Sequence, residues 1–509
     1  MLAPSQLRCT AFLACLACAL LASGAALSQD VGKKIVTEGG SNGATACVAC
    51  HGEDGAGNAA ANYPRLSELT AAYMVRQLEA YRNGSRSSPI MAPIAAALTA
   101  EESQAVSEYY ARQDAPVKAT TDDAELLARG RHLALEGDWD NEIPSCVSCH
   151  GPGGKGLGGA HFPALAGQHA GYITSQIQAW QNDERSNDAD RLMQAISARL
   201  SEEQVQAVAA YFANLPVLDE QAVAAAGARL AQQRAQQADE TAESGEYFTP
   251  PDEATIPDDD FGAMVRLGKQ IFVDTQNHAG EFVGNAQNCV DCHINAGRKA
   301  GSSPMWAAWG MYPAYRAKND RVNTMIDRIQ GCFRFSMNGT PPPADSDVMT
   351  ALLSYTYWLS QGAPIGESLP GRGYPELSAP DKEPSYDRGE KIYAKSCAVC
   401  HSEDGRGKSV DGQSVFPPLW GSGAYNWGAG MHRIQTAAEF IHANMPLGRG
   451  GELLSEQEAW DVAAFINKHP RPQDPRNEGD MGATAEKFHN HACYYNDFEG
   501  SIASDMVDD

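Results

Sequence analysis

The apolar positions of the chain separate a short leader from a long remainder. A continuous apolar run, Ala11–Leu21, follows Arg8 and precedes the small residues Ala26-Leu27-Ser28. This order is typical of a secretory signal, so residues 1–28 are predicted to be removed and the mature chain to be exported to a bacterial periplasm. No later stretch approaches the ~18 apolar residues of a membrane span, so no span is predicted.

Helices are predicted at corresponding places in two successive segments of the first half. Their expected ranges are Tyr73–Tyr81, Tyr172–Trp180, Glu101–Arg112 and Glu202–Asn214. The last two begin after Thr99 and Ser201, each followed three residues later by Glu or Gln, which is close to a capping-box signature. We expect them to be the closing helices of two similar domains.

The first half is an internal repeat with an offset of 99 positions. Cys50, Pro64, Tyr73, Gln77 and Asn83 then fall on Cys149, Pro163, Tyr172, Gln176 and Asn182. After a three-residue insertion, Met91 falls on Met193. Two copies of one domain therefore stand in tandem.

Four copies of Cys-x-x-Cys-His give the chain its chemistry. The cysteine pairs are Cys47 and Cys50, Cys146 and Cys149, Cys289 and Cys292, and Cys397 and Cys400, followed by His51, His150, His293 and His401. Each is a c-type haem attachment site, in which two thiols bind the porphyrin and the adjacent imidazole binds iron. A zinc knuckle is disfavoured, because no distal Cys or His pairs complete tetrahedral sites. The sequence predicts four covalently bound haem c groups.

The expected fold is all-α, with four class I cytochrome c-type haem domains in two tandem pairs. The predicted boundaries are 29–117 and 118–217 for the first pair, 218–260 for a linker, 261–365 and 366–475 for the second pair, and 476–509 for an acidic tail. The linker is rich in Ala and Gln, which favours one helix, and then becomes acidic. In the tail, His489, His491 and Cys493 have metal-binding side chains, but the favoured interpretation is a solvated or disordered segment.

Two methionines are candidates for the second axial iron ligand. Met91 and Met193 lie 40 and 43 residues beyond their haem histidines. A methionine is more often core filler, but the repeat keeps this one while the flanking loop changes length. We therefore predict His/Met ligation, which raises the reduction potential and suits electron acceptance. With the paired motifs and the segment Phe162–Gln168, residues 30–217 resemble the dihaem cytochrome c4 class.

The third domain departs from this plan. At the distance expected for a distal ligand from His293, the chain offers Cys332 and Met337. A cysteine would give a His/thiolate haem, whose anionic ligand stabilises ferric iron and lowers the potential. The alternatives are that Cys332 is a buried thiol or forms a disulfide with Cys493.

Charge around this domain suggests a small anion as ligand. Between Cys289 and Ser336 seven cationic residues outnumber three acidic ones, in a chain whose formal net charge is −25. They are Arg298, Lys299, Arg316, Lys318, Arg321, Arg328 and Arg334. Some are expected to pair with haem propionates, and the remainder with a small anion. So acidic a chain is not expected to bind nucleic acid.

The second half resembles the tetrathionate-forming thiosulfate dehydrogenases, over about residues 261–475. The resemblance rests on Cys-Val-Asp-Cys-His, on the segment Arg328–Gly339 and on Asn444–Gly448. It implies that two thiosulfate ions couple to tetrathionate at the third haem, with Cys332 as distal ligand and reactive thiol. It also implies that Arg328 and Ser336 hold the sulfonate. Arg321 is added from the charge argument.

Met445 is the predicted distal ligand of the fourth haem, 44 residues after His401. Some members of the family place Lys before this methionine and are implied to exchange the two ligands. Asn444 stands there, and an amide is a poor iron ligand, so plain His/Met ligation is favoured. His432 and His442 are rival ligands.

The chain thus resembles an enzyme fused to its own dihaem acceptor, which raises the effective concentration of that acceptor. The expected electron route runs from thiosulfate at the haem of His293, through that of His401, to the two N-terminal haems and an external oxidant such as a soluble cytochrome. Two alternatives stay open. One is a pure electron conduit; the other is a tetrathionate reductase or a His/Cys-haem cytochrome of the sulfur-oxidation system.

Overall fold

The structure is a computed structural model that describes residues 30–240, 247–316 and 320–498. The predicted signal peptide, Lys318 and the last residues of the chain lie outside these ranges. The chain divides into two compact units. Of the described residues, the first unit holds those up to Leu135 and Ser145–Val223, and the second holds Glu136–Pro144 and those from Ala224 onward. The segment Glu136–Pro144, predicted as part of the second haem domain, thus groups with the second unit.

The first unit contains the helices expected from the repeat. They are 30–38, Val48–His51, Ala71–Arg82, Met91–Ala97, Ala100–Tyr110, Ala124–Leu135, Val147–His150, Ala170–Gln181, Leu192–Arg199 and Glu202–Asn214. Both predicted capping boxes are present: the Thr99 and Ser201 hydroxyls accept from the backbone N–H groups of Glu102 and Gln204, whose side chains accept in return. These caps fix where the closing helices begin.

The second unit repeats the same helical plan with longer connections. Its helices are Asp260–Val273, Thr275–Ala279, Ile294–Gly297, Met325–Gly331, Asp347–Leu359, Tyr386–Ser396, Ala398–His401, Ile434–Asn444, Glu456–Asn467 and Met481–Phe488. Two small antiparallel hairpins add strands Ala314–Arg316 with Arg321–Asn323 and Lys408–Val410 with Gln413–Phe416. The predicted all-α class is confirmed, with these hairpins as minor additions.

One close helix crossing recurs in all four haem domains. In each, a glycine of the first helix touches a backbone carbonyl of the closing helix, and an added Cβ would clash with it. The pairs are Gly32 and Ala105, Gly130 and Ala207, Gly268 and Ala351, and Gly389 and Asp461. Since only glycine allows this approach, the four domains share one packing arrangement.

The described residues outside the haem domains also form regular structure. The predicted linker helix is observed as Glu220–Glu240. The interpretation of the tail as solvated is wrong for residues 476–498, because the helix Met481–Phe488 forms there and Tyr495 is fully buried with Trp427. Burial of aromatic area stabilises this segment against the fourth domain. Among the described helices, none has both the length and the apolar character that a membrane crossing needs.

Candidate functional site

The four motif histidines are held in the same way. In each, the ring Nδ1 faces a backbone carbonyl oxygen: His51 and Pro64 at 3.0 Å, His150 and Pro163 at 2.9 Å, His293 and Ser303 at 2.7 Å, and His401 and Pro417 at 2.9 Å. A carbonyl only accepts, so Nδ1 carries the proton and Nε2 keeps its lone pair for a metal. This arrangement fits haem attachment at all four motifs.

The predicted distal methionine of the first domain lines the same cavity as its haem motif. This cavity, of about 280 Å³, is lined by Cys47, Cys50, His51 and Met91. Met193 stands at the corresponding place, in the helix Leu192–Arg199, and is half-buried. Met91 and Met193 remain predicted ligands, and the shared cavity supports the first.

Two buried arginines between the first two domains were missed by the sequence analysis. Arg86 and Arg185 are each 4% exposed and line the same cavity. Arg86 donates to the Gln77, Gln176 and Tyr172 oxygens, and Arg185 to the Gln176, Gln77 and Tyr73 oxygens. These hydrogen-bond partners are neutral, and buried cations need an anion, which haem propionates would supply. Arg86 and Arg185 are 99 positions apart, so the internal repeat could have identified them as a matching pair.

We predict that the denatured, fully matured protein retains four covalent haems. The reason is that all four motifs present two thiols and a correctly oriented imidazole. Intact mass spectrometry and iron analysis measure the number directly. Three or fewer haems in fully matured material would contradict the four-domain architecture.

Cys332 begins a short π-helix, Cys332–Ser336, that continues the helix Met325–Gly331. The wide turn is closed by the Met337 N–H, which donates to the Cys332 carbonyl at 3.0 Å. Such π-turns occur often at functional sites. The Cys332 thiol lies within hydrogen-bonding reach of the His293 imidazole, so the structure brings together the predicted proximal and distal ligands of the third haem.

The electrostatics at Cys332 favour a thiolate. The Arg328 Nη1 lies 3.3 Å from the Cys332 sulfur. Burial raises the pKa of the Cys332 thiol, but the neighbouring groups, the Arg328 guanidinium first, outweigh burial and lower the pKa to about 7. Conversely, the nearby thiolate raises the pKa of Arg328. A low-pKa cysteine beside an arginine is typical of reactive thiols.

The other candidates near Cys332 fall into different surroundings. Ser336 ends the π-helix and is half-buried. Met337, the competing ligand, is 3% exposed and belongs to the apolar core of the third domain. The Arg321 guanidinium binds the Asp327 carboxylate, which already balances its charge. Arg328 is therefore the cation that the structure places at the thiol.

The basic residues expected to surround this haem are partly used elsewhere. Arg298 donates to the Pro250 and Pro251 carbonyls, and Lys299 forms an ion pair with Glu142 at 3.3 Å. The Arg298 Nη1 is buried without a hydrogen-bond partner, which suits a propionate. The seven-residue basic region is thus not one anion site, and Lys318 lies outside the described residues.

Two asparagines that sequence reasoning missed hold the π-turn in place. Asn285 donates to the Ser336 carbonyl at 2.8 Å and to the Ala424 carbonyl at 3.2 Å. Asn426, which is fully buried, donates to the Arg334 carbonyl at 2.9 Å. These bonds join the third domain to the loop of the fourth. No local signal marks them, because their partners are 51 to 139 residues away.

The fourth domain favours the prediction of plain His/Met ligation. Met445 follows the helix Ile434–Asn444 and packs against the apolar core of its domain. The Asn444 amide is buried and donates to the Gly301 and Phe440 carbonyls. His432 directs its Nε2 to His491, and His442 is a half-buried residue of the same helix. Because the His432 Nε2 faces His491, Met445 stays the predicted ligand of the fourth haem.

The alternative of a disulfide between Cys332 and Cys493 is not observed. Both thiols are free. Cys332 contacts Arg328, whereas the Cys493 sulfur lies 3.8 Å from the His489 Nδ1. Each cysteine therefore has a separate chemical environment.

Comparisons with known families divide the chain in the same way. Residues 31–123 and 127–216 match the family described as "Cytochrome c". Residues 279–365 match the family described as "SoxA/TsdA, cytochrome c domain". Residues 384–466 match the family described as "Cytochrome C oxidase, cbb3-type, subunit III". Each match contains one haem motif or, for the first, one in each segment.

Individual relatives match each half of the chain, and one solved structure matches both. A "Thiosulfate dehydrogenase" of Stutzerimonas stutzeri is 57% identical over 244 residues, which are 48% of this chain and 79% of that protein. A "Thiosulfate dehydrogenase electron acceptor" of the same organism is 49% identical over 199 residues, 39% of this chain and 91% of that protein. The solved structure of thiosulfate dehydrogenase (TsdBA) from Marichromatium purpuratum covers 91% of this chain and 96% of its own, at 44% identity and a TM-score of 0.81.

Proposed function

Because this chain belongs to the thiosulfate dehydrogenase family, we propose that the Cys332 thiolate and Arg328 form the centre at which thiosulfate is oxidised to tetrathionate. The chain is a cytochrome enzyme that oxidises thiosulfate and passes the electrons to a fused cytochrome. The contact between the Arg328 guanidinium and the Cys332 sulfur is the observation that carries the assignment of the site.

The reaction couples two thiosulfate dianions through a new S–S bond and releases two electrons. When bound by Cys289, Cys292 and His293, haem c supplies iron that accepts electrons one at a time. Arg328 offers a planar cationic fork for a sulfonate next to the thiol, and Ser336 offers a hydroxyl at the other end of the π-turn. Cys332 is both the distal ligand and a reactive thiol in this proposal.

Arg321 has a more distant role in the proposal. Its side chain is exposed and already bound to Asp327, so it adds to the local field and does not hold the substrate. The field of exposed cations speeds the arrival of anions more than it tightens their binding. In this proposal, Met91, Met193 and Met445 are the distal iron ligands of the other three haems.

The remaining steps concern export and the final acceptor. Residues 1–28 act as the signal that directs the protein to the periplasm. Haem is attached covalently there, and thiosulfate is available there as substrate. Electrons leave the second unit for the cytochrome domains of residues 29–217 and then an external acceptor, a soluble cytochrome or another high-potential redox protein. A fused first acceptor removes one diffusional encounter.

We expect residues 250–509 alone to form tetrathionate with a small artificial oxidant, because Cys332, Arg328 and Ser336 all lie within that part. Residues 29–217 alone are expected to form none, since they contain only the four cysteines of their two haem motifs. Tetrathionate is measured for each half under the same oxidant, after the haem content of each half is shown to be two.

The same experiment separates the alternatives. A pure electron conduit predicts no tetrathionate from either half, and a cytochrome that conjugates thiosulfate to a carrier protein predicts no free tetrathionate. Activity confined to residues 29–217, or none in a fully haem-loaded 250–509, would show that catalysis is assigned to the wrong pair of domains.

A further inference from the structure

Four side chains that commonly bind transition metals meet at the folded C-terminal segment. His432, His489, His491 and Cys493 each offer one ligand atom, and these atoms all lie within 4.8 Å of one another. His432 belongs to the turn Gly430–His432, whereas the other three follow the helix Met481–Phe488. None of the four is part of a haem motif, and the catalytic proposal uses none of them.

The rings are oriented with their lone pairs toward one another. The His489 Nε2 lies 3.0 Å from the Asp474 carboxylate, so its Nδ1 faces the Cys493 sulfur at 3.8 Å. The His432 Nδ1 is bound to the Ala429 carbonyl, and its Nε2 faces the His491 Nε2 at 2.6 Å. Carboxylates and carbonyls only accept, so the outer nitrogens of His489 and His432 carry the protons and their inner nitrogens are the ones that can bind a cation.

The His489 side chain is hydrogen-bonded to a buried carboxylate, as metal-binding histidines commonly are. The Asp474 side chain is fully buried, and the His489 side chain beside it is equally buried. Arg476 donates to the same carboxylate oxygen at 2.6 Å and to the other oxygen at 2.9 Å. A buried carboxylate that accepts from a ligating histidine fixes its tautomer and raises its basicity. His489 is further held by stacking on Tyr495, with ring centroids 3.9 Å apart.

We propose that His432, His489, His491 and Cys493 bind one Zn²⁺ in a closed tetrahedral site. Three imidazoles and one thiolate match the ligand set of structural zinc, and four protein ligands leave no open position for catalysis. Bond lengths of ~2.1 Å to nitrogen and ~2.3 Å to sulfur place neighbouring ligand atoms about 3.5 Å apart. The ligand atoms lie within 4.8 Å of one another, and the His432 and His491 nitrogens are 2.6 Å apart, so small side-chain shifts reach this geometry.

The position of the site gives the metal a structural role. It joins the C-terminal segment to the loop that precedes the helix Ile434–Asn444, where the Ile434 N–H also donates to the Ala492 carbonyl. The same loop carries Asn426, which binds the carbonyl of Arg334 in the π-turn. The metal therefore braces, through the loop, the backbone that carries Cys332.

The test uses the full-length, untagged haem-loaded protein and measures metals by inductively coupled plasma mass spectrometry. One zinc per four irons is expected. His491→Gln and Cys493→Ser are expected to lower the zinc-to-iron ratio by at least about tenfold, because each removes one ligand. His278→Gln, which replaces an exposed histidine outside the cluster, is the matched control and keeps the wild-type ratio.

A second measurement keeps the proposal testable if a variant folds poorly. A zinc chelator is expected to lower the melting temperature of the wild type without releasing iron, and added Zn²⁺ to restore it. Less than about one zinc per five chains after growth in zinc and dialysis, or zinc retained in both variants, would overturn the site. Copper or nickel at the same stoichiometry would overturn the assignment to zinc.

Discussion

Replacing Cys332 by alanine is expected to abolish thiosulfate oxidation, by about 10³-fold or more in kcat, while haem stays attached at Cys289 and Cys292. The thiol is the group that lies beside both Arg328 and His293, and its lowered pKa favours the reactive thiolate. Alanine removes the sulfur without changing the attachment motif. Steady-state tetrathionate formation, with haem content measured on the same sample, tests this result.

Cys332→Met is the informative companion to the alanine variant. A thioether can bind iron but cannot carry negative charge or react as a thiolate. If the thiolate is needed, the methionine variant is as inactive as the alanine variant even though its thioether would still be able to bind the iron. Near-normal turnover in both variants would remove Cys332 from the mechanism, and recovery in Cys332→Met alone would reduce its role to ligation.

Replacing Arg328 by alanine is expected to lower kcat/KM for thiosulfate by about 10²-fold, equal to roughly 2.7 kcal/mol of transition-state stabilisation. Two effects add in the same direction. The substrate loses a cationic hydrogen-bond donor, and the Cys332 thiol loses the cation that lowers its pKa. Rates measured over a range of thiosulfate concentrations separate the loss in kcat from the loss in KM.

Arg334→Ala is the matched control for Arg328→Ala. Arg334 is an exposed cation of the same π-turn, so its removal changes the net charge by the same amount. We expect it to change kcat/KM by less than about threefold at physiological salt, because exposed charges are screened. Arg328→Lys is expected to recover part of the loss, since it keeps the charge but not the planar fork. Equal losses in the Arg328 and Arg334 alanine variants would show a general field effect instead of a specific site.

The secondary structure could be predicted well where the signals are local. Thr99 and Ser201 mark the closing helices because a capping box involves residues only three positions apart. The haem motifs are equally local, since two thiols and an imidazole within five residues define the attachment chemistry. The 99-residue repeat extended these local signals to a whole domain pair. It also relates Arg86 to Arg185, a match that the sequence analysis did not use.

The candidate site could be predicted only in part. Cys332 was found from its distance to His293, and Arg328 from the family resemblance, and the structure brings all three together. The charge argument was less accurate, because counting cations along the chain ignores their partners. Arg321 is bound to Asp327 and Lys299 to Glu142, and neither ion pair can be read from the sequence.

The C-terminal segment is the part of the chain whose structure could not be predicted from the sequence alone. The chain by itself determined the haem chemistry, the helical class and the order of the domains, because these depend on spacing within short segments. Only the tertiary structure decided that the acidic segment folds and that His432 joins His489, His491 and Cys493, since His432 and His491 are 59 residues apart. Burial of Tyr495 and of the Asp474 carboxylate places these four side chains together. Contacts between residues so far apart in sequence depend on the packing of the whole unit.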